Sequence, residues 1–319
     1  MDAFAGFQGH LDWHPSLPAG SPFPLAVGPE GGDIHPMVPS SLAEARNALT
    51  AAGQLPDAEL DVAGIALQFA RIDAPEADWQ AAGAALSVLA QDAVAAAAAD
   101  RAADAGDAER RRAVLSGVIH AAHGYAGDTE HYDDPANANL IKVTERRRGL
   151  PVALGILWLH AAEAAGWAAY GIDFPGHFLL ALEGRRGQAI VDVFDSGAAL
   201  HANDLRALLK RIEGERAELR PGLLRPVDKR AVLLRLQNNL KLRRLRAGDL
   251  DGALACVDDM LRLAPDQAML WREAGLMNQR LDRVGAALQC LDRALALEPH
   301  GEGAHRLRRV IEELRQRLN

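Results

Sequence analysis

The chain predicts an α+β fold that is mostly helical, and three observations lead there. First, hydrophobic residues make up 49% of the 319 positions but aromatics only 5%, so alanine and leucine supply the cores and favour helix. Second, residues 149–194 read as one helix followed by three strand-like runs, a small antiparallel sheet against a helix. Third, a repeat of 34 residues runs through the C-terminal part, where Pro265 and Pro299, Ala253 and Ala287, and Cys256 and Cys290 stand in register.

Taken in order, residues 1–40 form a tail in which Pro15, Pro18, Pro22, Pro24, Pro29, Pro36 and Pro39 forbid continuous helix, with Phe4, Phe7 and Trp13 as apolar anchors for docking. Residues 41–125 form an N-terminal helical region. It opens on Ser41 and Glu44 as a capping box and places helices near 41–52, 57–72, 75–103 and 107–122. A unit over 126–225 follows. Asp134 caps a helix near 135–148, and the break at Gly149-Leu150-Pro151 starts another, because proline in the first helical turn loses no hydrogen bond. Gly166 ends that helix, and strands follow at 167–173, 177–183 and 188–194, with Gly184 to Gly187 as a turn.

From Lys229 to the end, residues 229–319 read as helical hairpins. Trp271, Gly275, Ala287, Leu291, Ala294 and Pro299 occupy the large, small and helix-ending positions of a tetratricopeptide (TPR) repeat. Small residues let antiparallel helices approach, large ones fill the groove beside them, and proline ends the second helix. The first unit is weaker, with Gln237 where the second has Trp271, and residues 302–317 read as a polar capping helix. The equivalent placement of Cys256 and Cys290 marks them as packing residues.

The stretch from Arg148 to Gly197 holds Gly149-Leu150-Pro151 at a helix start, His177 in Pro-Gly-His-Phe, and Asp192 in Ile-Val-Asp-Val-Phe. It resembles the transglutaminase-like core, which places a cysteine at a helix start two residues after a glycine, a histidine on one strand and an aspartate on the next. In such a triad the helix terminus stabilises a thiolate, the histidine holds the proton and the aspartate orients the histidine. By that resemblance the cysteine position is Pro151, which carries no nucleophile, and Val152 and Ala153 offer no hydroxyl. Together with Tyr132-Asp133-Asp134-Pro135, Asn139-Leu140 and Arg147-Arg148, these runs resemble the bacterial "regulator of sirC expression" family over about residues 55–315. That family joins a helical region, a transglutaminase-like domain and TPRs, and typically has proline at the old cysteine site. Ala153 departs from it, since a serine is usual there.

The resemblance implies a degenerate cleft built from His177, Asp192, Pro151, Arg148, Asn139 and Tyr132. His177 with Asp192 either serves a ligand or braces the sheet, and Arg147, Arg148 and Asn139 either bind a carboxylate or hold loop carbonyls. His120 and His123 share a helix face and, with His131, Asp133 and Asp134, form a candidate metal set, but no HExxH-type motif fixes a site, so no metal and no cofactor is expected. The basic runs Arg110 to Arg112 and Arg146 to Arg148 read as solvated helix faces, and a net charge of -8 argues against nucleic acid. The alanine run at 95–99 lies between Asp92 and Asp100 and is too short to span a membrane, and two cysteines fit a cytoplasmic protein. The expected function is non-catalytic, with a protein or peptide partner held by the TPR groove and the degenerate cleft. The alternative is a hydrolase or amidase in which His177 and Asp192 activate water or a metal.

Overall fold

The computed structural model describes residues 40–220 and 222–317, so the expected tail and its aromatic anchors lie outside the described residues. The N-terminal helices are α1 (Ser40–Gly53), α2 (Val62–Asp73), α3 (Trp79–Ala99), α4 (Arg101–Asp104) and α5 (Ala108–Ser116). Aspartates set several of their starts. Asp61, Asp78 and Asp107 each accept a backbone N–H three residues on, satisfying a first-turn donor that has no partner inside the helix. Asp100 divides the single helix expected over 75–103, because its carboxylate accepts from Ala102 and Ala103 and begins α4. α1 already includes Ser40, one residue ahead of the expected start, and the Glu44 carboxylate receives Arg71 at 2.8 Å. The helix expected to reach residue 122 changes at Gly117 into a π-helical turn, Gly117–Ala122.

The expected helix over 135–148 is also broken. Pro135–Ala138 is a 3-10 turn capped by Asp134, and Asn139 caps a separate α6 (Leu140–Arg146) by accepting from Ile141 and Lys142. Arg147, at φ 58, turns the chain so that β2 (Arg148–Gly149) lies parallel to β1 (Ala126–Gly127). Pro151 then opens α7 (Pro151–Ala164) and Gly166, at φ 71, closes it. Val152, Leu154, Ile156, Leu157 and Trp158 of α7 are all buried, each contributing about 1.5–3 kcal/mol from removal of apolar surface.

The sheet has the order β6-β5-β4-β3-β7, all antiparallel, with β3 (Ala169–Phe174), β4 (His177–Gly184), β5 (Gly187–Asp192), β6 (Ala198–Ala199) and β7 (Pro226–Val227). The three expected strands are β3 to β5; the two-residue edges carry no periodicity to read. Alternation gives the sheet two apolar faces. Phe178, Leu180 and Leu182 belong to the core that contains α7, while Ile172, Phe174, Leu179 and Ala181 pack under α8 (Ala202–Glu213), an amphipathic helix absent from the sequence reading.

The C-terminal helices are α9 (Lys229–Arg246), α10 (Leu250–Leu263), α11 (Ala268–Arg280), α12 (Val284–Leu297) and α13 (Glu302–Gln316). Gly275 lets α11 meet α12, since a methyl there would strike the Leu291 side chain. Ala253 and Ala287, one repeat apart, are both 0% exposed, as close approach demands. Val232, Leu233, Leu236 and Leu240 of α9 join the same core as α7 and the N-terminal helices. Of the arginines expected on a solvated face at 110–112, Arg110 is exposed, but Arg111 donates to the Ala103 and Glu183 carbonyls and Arg112 to that of Gly197, binding α5 to the sheet.

Candidate functional site

Two strands and a tight hairpin position the histidine. Phe174 pairs with His177 across Pro175-Gly176, and Gly176 takes φ 62, a conformation that glycine adopts at low cost. The next hairpin brings β5 alongside, and its last residue, Asp192, lies 3.1 Å from His177, Oδ2 to Nε2. The other carboxylate oxygen accepts the backbone N–H of Phe194 at 3.0 Å and of Asp195 at 3.3 Å. Burial pushes the Asp192 pKa up, but the His177 ring and the two backbone donors outweigh it and hold the carboxyl below its usual range. Asp192 is thus fixed as an anion that orients an imidazole.

The position expected to hold the cysteine of a thiol triad is Pro151. Pro151 sits at the first position of α7, buried, and α7 starts at the end of the sheet where His177 lies, since Gly155 one turn later rests on the ring of Phe178. Register puts His177 opposite Phe174, on the face of the sheet turned to α8, while Gly155 and Phe178 meet on the other face. The thiols of Cys256 and Cys290 belong to α10 and α12, and burial raises both pKa values to about 11.

The remaining candidates divide. Tyr132 is 46% exposed and stands edge-on at 5.8 Å to Phe194, which follows Asp192 closely in the chain. Asn139 is not a cleft residue. It is 3% exposed, and its amide donates to the Ala70 carbonyl at 3.0 Å and to Asp73 at 2.9 Å while its oxygen caps α6. Arg148 is exposed and donates to the carbonyls of Gly124 and Arg147, bonds that brace a loop. Arg147 lies over the Tyr125 ring at 4.5 Å.

Residues outside the sequence reading complete this end of the sheet. Arg235 of α9 forms an ion pair with Asp173 of β3 and lies over Phe178 at 5.7 Å; burial lowers its pKa and the neighbouring Tyr132 raises it. Arg243, 8% exposed, donates to the Tyr132 and Asp133 carbonyls at 3.0 Å each. The readable signal was the basic run Lys241-Leu242-Arg243-Arg244 on a helix that has to meet the sheet. The helical array thus covers the face of the sheet turned away from His177, and the structure does not bring Pro151 and His177 together on one face.

The candidate metal histidines go to separate partners. Trp158 donates its indole N–H to His120 Nε2 at 3.1 Å, which places the His120 proton on Nδ1, donated to the Tyr125 carbonyl at 2.6 Å. Burial lowers the His120 pKa, partly offset by that backbone bond, so the ring is neutral at pH 7. His123 pairs with Asp92 at 2.8 Å, and no group of three metal-ligating side chains occurs among the described residues. Among the described residues one helix, α3, is long and apolar enough to cross a membrane by length and composition. Its Ala82, Leu86, Leu89, Ala93 and Ala97 are core residues of the folded unit.

Comparison with known proteins gives this arrangement a setting. Residues 82–238 match the model of the transglutaminase-like superfamily, and residues 240–312 that of the tetratricopeptide repeat. A UPF0162 protein of Xylella fastidiosa is 35% identical over 179 residues, 55% of this chain and 64% of that protein. One of Vibrio cholerae is 35% identical over 158 residues, covering 50% of this chain and 58% of the relative. Human F-box only protein 21 is 24% identical over 214 residues, 60% of this chain and 33% of that protein. The chain thus spans less than two thirds of the length of the first two relatives. It carries a transglutaminase-like domain followed by a tetratricopeptide region, a repeat that generally mediates protein–protein contacts, and over the matched part it is similar to the UPF0162 proteins.

Proposed function

We propose that this protein works by binding a protein or peptide and does no thiol chemistry. The observation that carries the reading is Pro151, buried at the first turn of α7 where a transglutaminase-like core has its cysteine. A prolyl ring can neither attack a carbonyl nor be activated by His177, and the thiols of the array stay protonated at neutral pH. The hairpin array, by contrast, keeps its packing and its exposed surface. The resemblance to the regulator of sirC expression family supports a regulatory setting, and two free cysteines support the cytoplasm as its place.

The test joins turnover and capture. Full-length protein incubated with amide and ester substrates should show no turnover above buffer, and His177→Ala should be indistinguishable from it. Tagged full-length protein should retain a discrete set of proteins from its native cell. Turnover that disappears in His177→Ala, or the absence of any specific partner, overturns the reading. The first of those results would favour the alternative, a hydrolase or amidase using water. It draws its support from the ionised Asp192, which orients His177 as a general base requires.

A further inference from the structure

Among the described residues a few buried side-chain polar atoms have no hydrogen-bond partner, and two of them, Oη of Tyr125 and Nη1 of Arg147, belong to side chains in contact. The Arg147 guanidinium lies 4.5 Å from the centre of the Tyr125 ring, and Tyr125 is 1% exposed. The two groups cannot satisfy each other. A guanidinium donates and never accepts, so the phenolic proton finds no acceptor in Arg147. Burial also keeps that proton in place, raising the phenol pKa more than the neighbouring Arg147 lowers it.

Local structure fixes both residues. The Tyr125 N–H donates to the Ile119 carbonyl, and its own carbonyl accepts from His120 Nδ1 at 2.6 Å. The Arg147 N–H donates to the Val143 carbonyl, and its own carbonyl accepts from Ala126 and Arg148. The main chain is thus fully paired, and only the side-chain tips are left over. Arg147 also stands at φ 58, in the left-handed region that is unfavourable for a residue with a Cβ. Charge points the same way. Arg146 pairs with Asp128 and Asp134, while neither Arg147 nor Arg148 has an ion pair among the described residues. Asp92 is engaged by His123, whose ring stacks on that of Tyr125. Of the three residues expected to bind a carboxylate or hold carbonyls, Asn139 and Arg148 are spent on groups of the chain itself. A buried O–H beside a guanidinium N–H, both unshared, suits an anion with two acceptor oxygens.

We infer that Tyr125 and Arg147 hold a carboxylate, with the phenolic O–H donating to one oxygen and Nη1 of Arg147 to the other. Both atoms are shielded from water, so the ligand enters as the flexible Arg147 side chain gives way and closes on it. The site goes beyond the binding function proposed above and needs neither His177 nor the helical array. Full-length protein in carboxylate-free buffer is titrated calorimetrically with sodium acetate, with N-acetyl-alanyl-alanine and with the C-terminal amide of that dipeptide. One or both acids should bind and the amide should not, and the tighter acid tells a free carboxylate from a peptide terminus. Arg147→Gln and Tyr125→Phe should each weaken binding by about tenfold or more, and His177→Ala should leave it unchanged. Without ligand, Tyr125→Phe should melt no lower than the parent, because it removes a donor that lacks a partner. With the acid present, the parent should melt above the variant. No binding of either acid, equal binding of the amide, or unchanged affinity in folded Arg147→Gln overturns the inference. So does a ligand-free Tyr125→Phe that melts below the parent, since the hydroxyl would then be serving the fold through a trapped water.

Discussion

At the scale of single residues, two polar side chains account for most of what is specific here. Asp192 holds the imidazole of His177 and is itself held by two backbone donors, and its carboxyl is kept below the ordinary range. A lowered folded-state pKa means that ionised Asp192 stabilises the fold above the usual carboxylate pKa of about 4, and that this contribution fades as pH falls through the folded value. Asp192→Asn should therefore cost about 1–3 kcal/mol at pH 7 in urea unfolding, and the gap to the parent should narrow steadily below pH 4. A gap independent of pH would contradict the assignment. Asn139 is the second such residue. Asn139→Ala strips a cap from α6 and two donors from buried acceptors, so a loss of about 2–4 kcal/mol by the same measurement is expected. The pairing of His177 with Asp192 could be read from the chain because each sits in a strand motif of its own. The work of Asn139 could not, since Ala70 and Asp73 reach it only through tertiary packing.

At the scale of elements, close approach decides what is tolerated. Gly155 lets α7 lie on β4, and a methyl group there would drive into the Phe178 ring. Gly275 does the same for α11 against α12 at Leu291. Gly155→Ala and Gly275→Ala should each lower stability by about 1–3 kcal/mol through overpacking, although alanine is the better helix former. Thermal melts that rise instead would show that the rings and side chains move aside freely. The strands β3 to β5, α7 and the repeat were legible because their periodicity and punctuation are local: Gly166 after the helix, Gly184 to Gly187 in the turn, Pro265 and Pro299 one repeat apart. The breaks at Asp100 and Asn139 were not, because an aspartate or asparagine inside an apolar helical pattern reads equally well as a solvated side chain. α8 escaped for another reason. Its three buried leucines, Leu205, Leu208 and Leu209, have a helical period, but the run is short and charged, and its face is defined only by the sheet beneath it.

At the scale of the whole molecule, the described residues form one compact unit, and Asp73 shows how. It ends α2, accepts from Asn139 ahead of α6, and pairs with Arg244 of α9, so one carboxylate joins the N-terminal helices, the transglutaminase-like domain and the helical array. Asp73→Ala leaves the Arg244 guanidinium without its carboxylate and takes one of two acceptors from the Asn139 amide, and should cost about 3–5 kcal/mol while calorimetry still shows a single transition. Two separate transitions would mean that the apolar face of α9 is not shared in the way its burial suggests.

The two matched regions meet between residues 238 and 240, inside α9. Their boundary is one of sequence similarity and has no counterpart in the folded chain. Leu236 on one side of that point and Leu240 on the other are sealed in one interior with α7. A protease added to the native protein would find no hinge there, and a gene cut at that point would give two fragments, each with half of a helix and an oily wound. The second module cannot be lifted off in physical terms to show what the first would do alone.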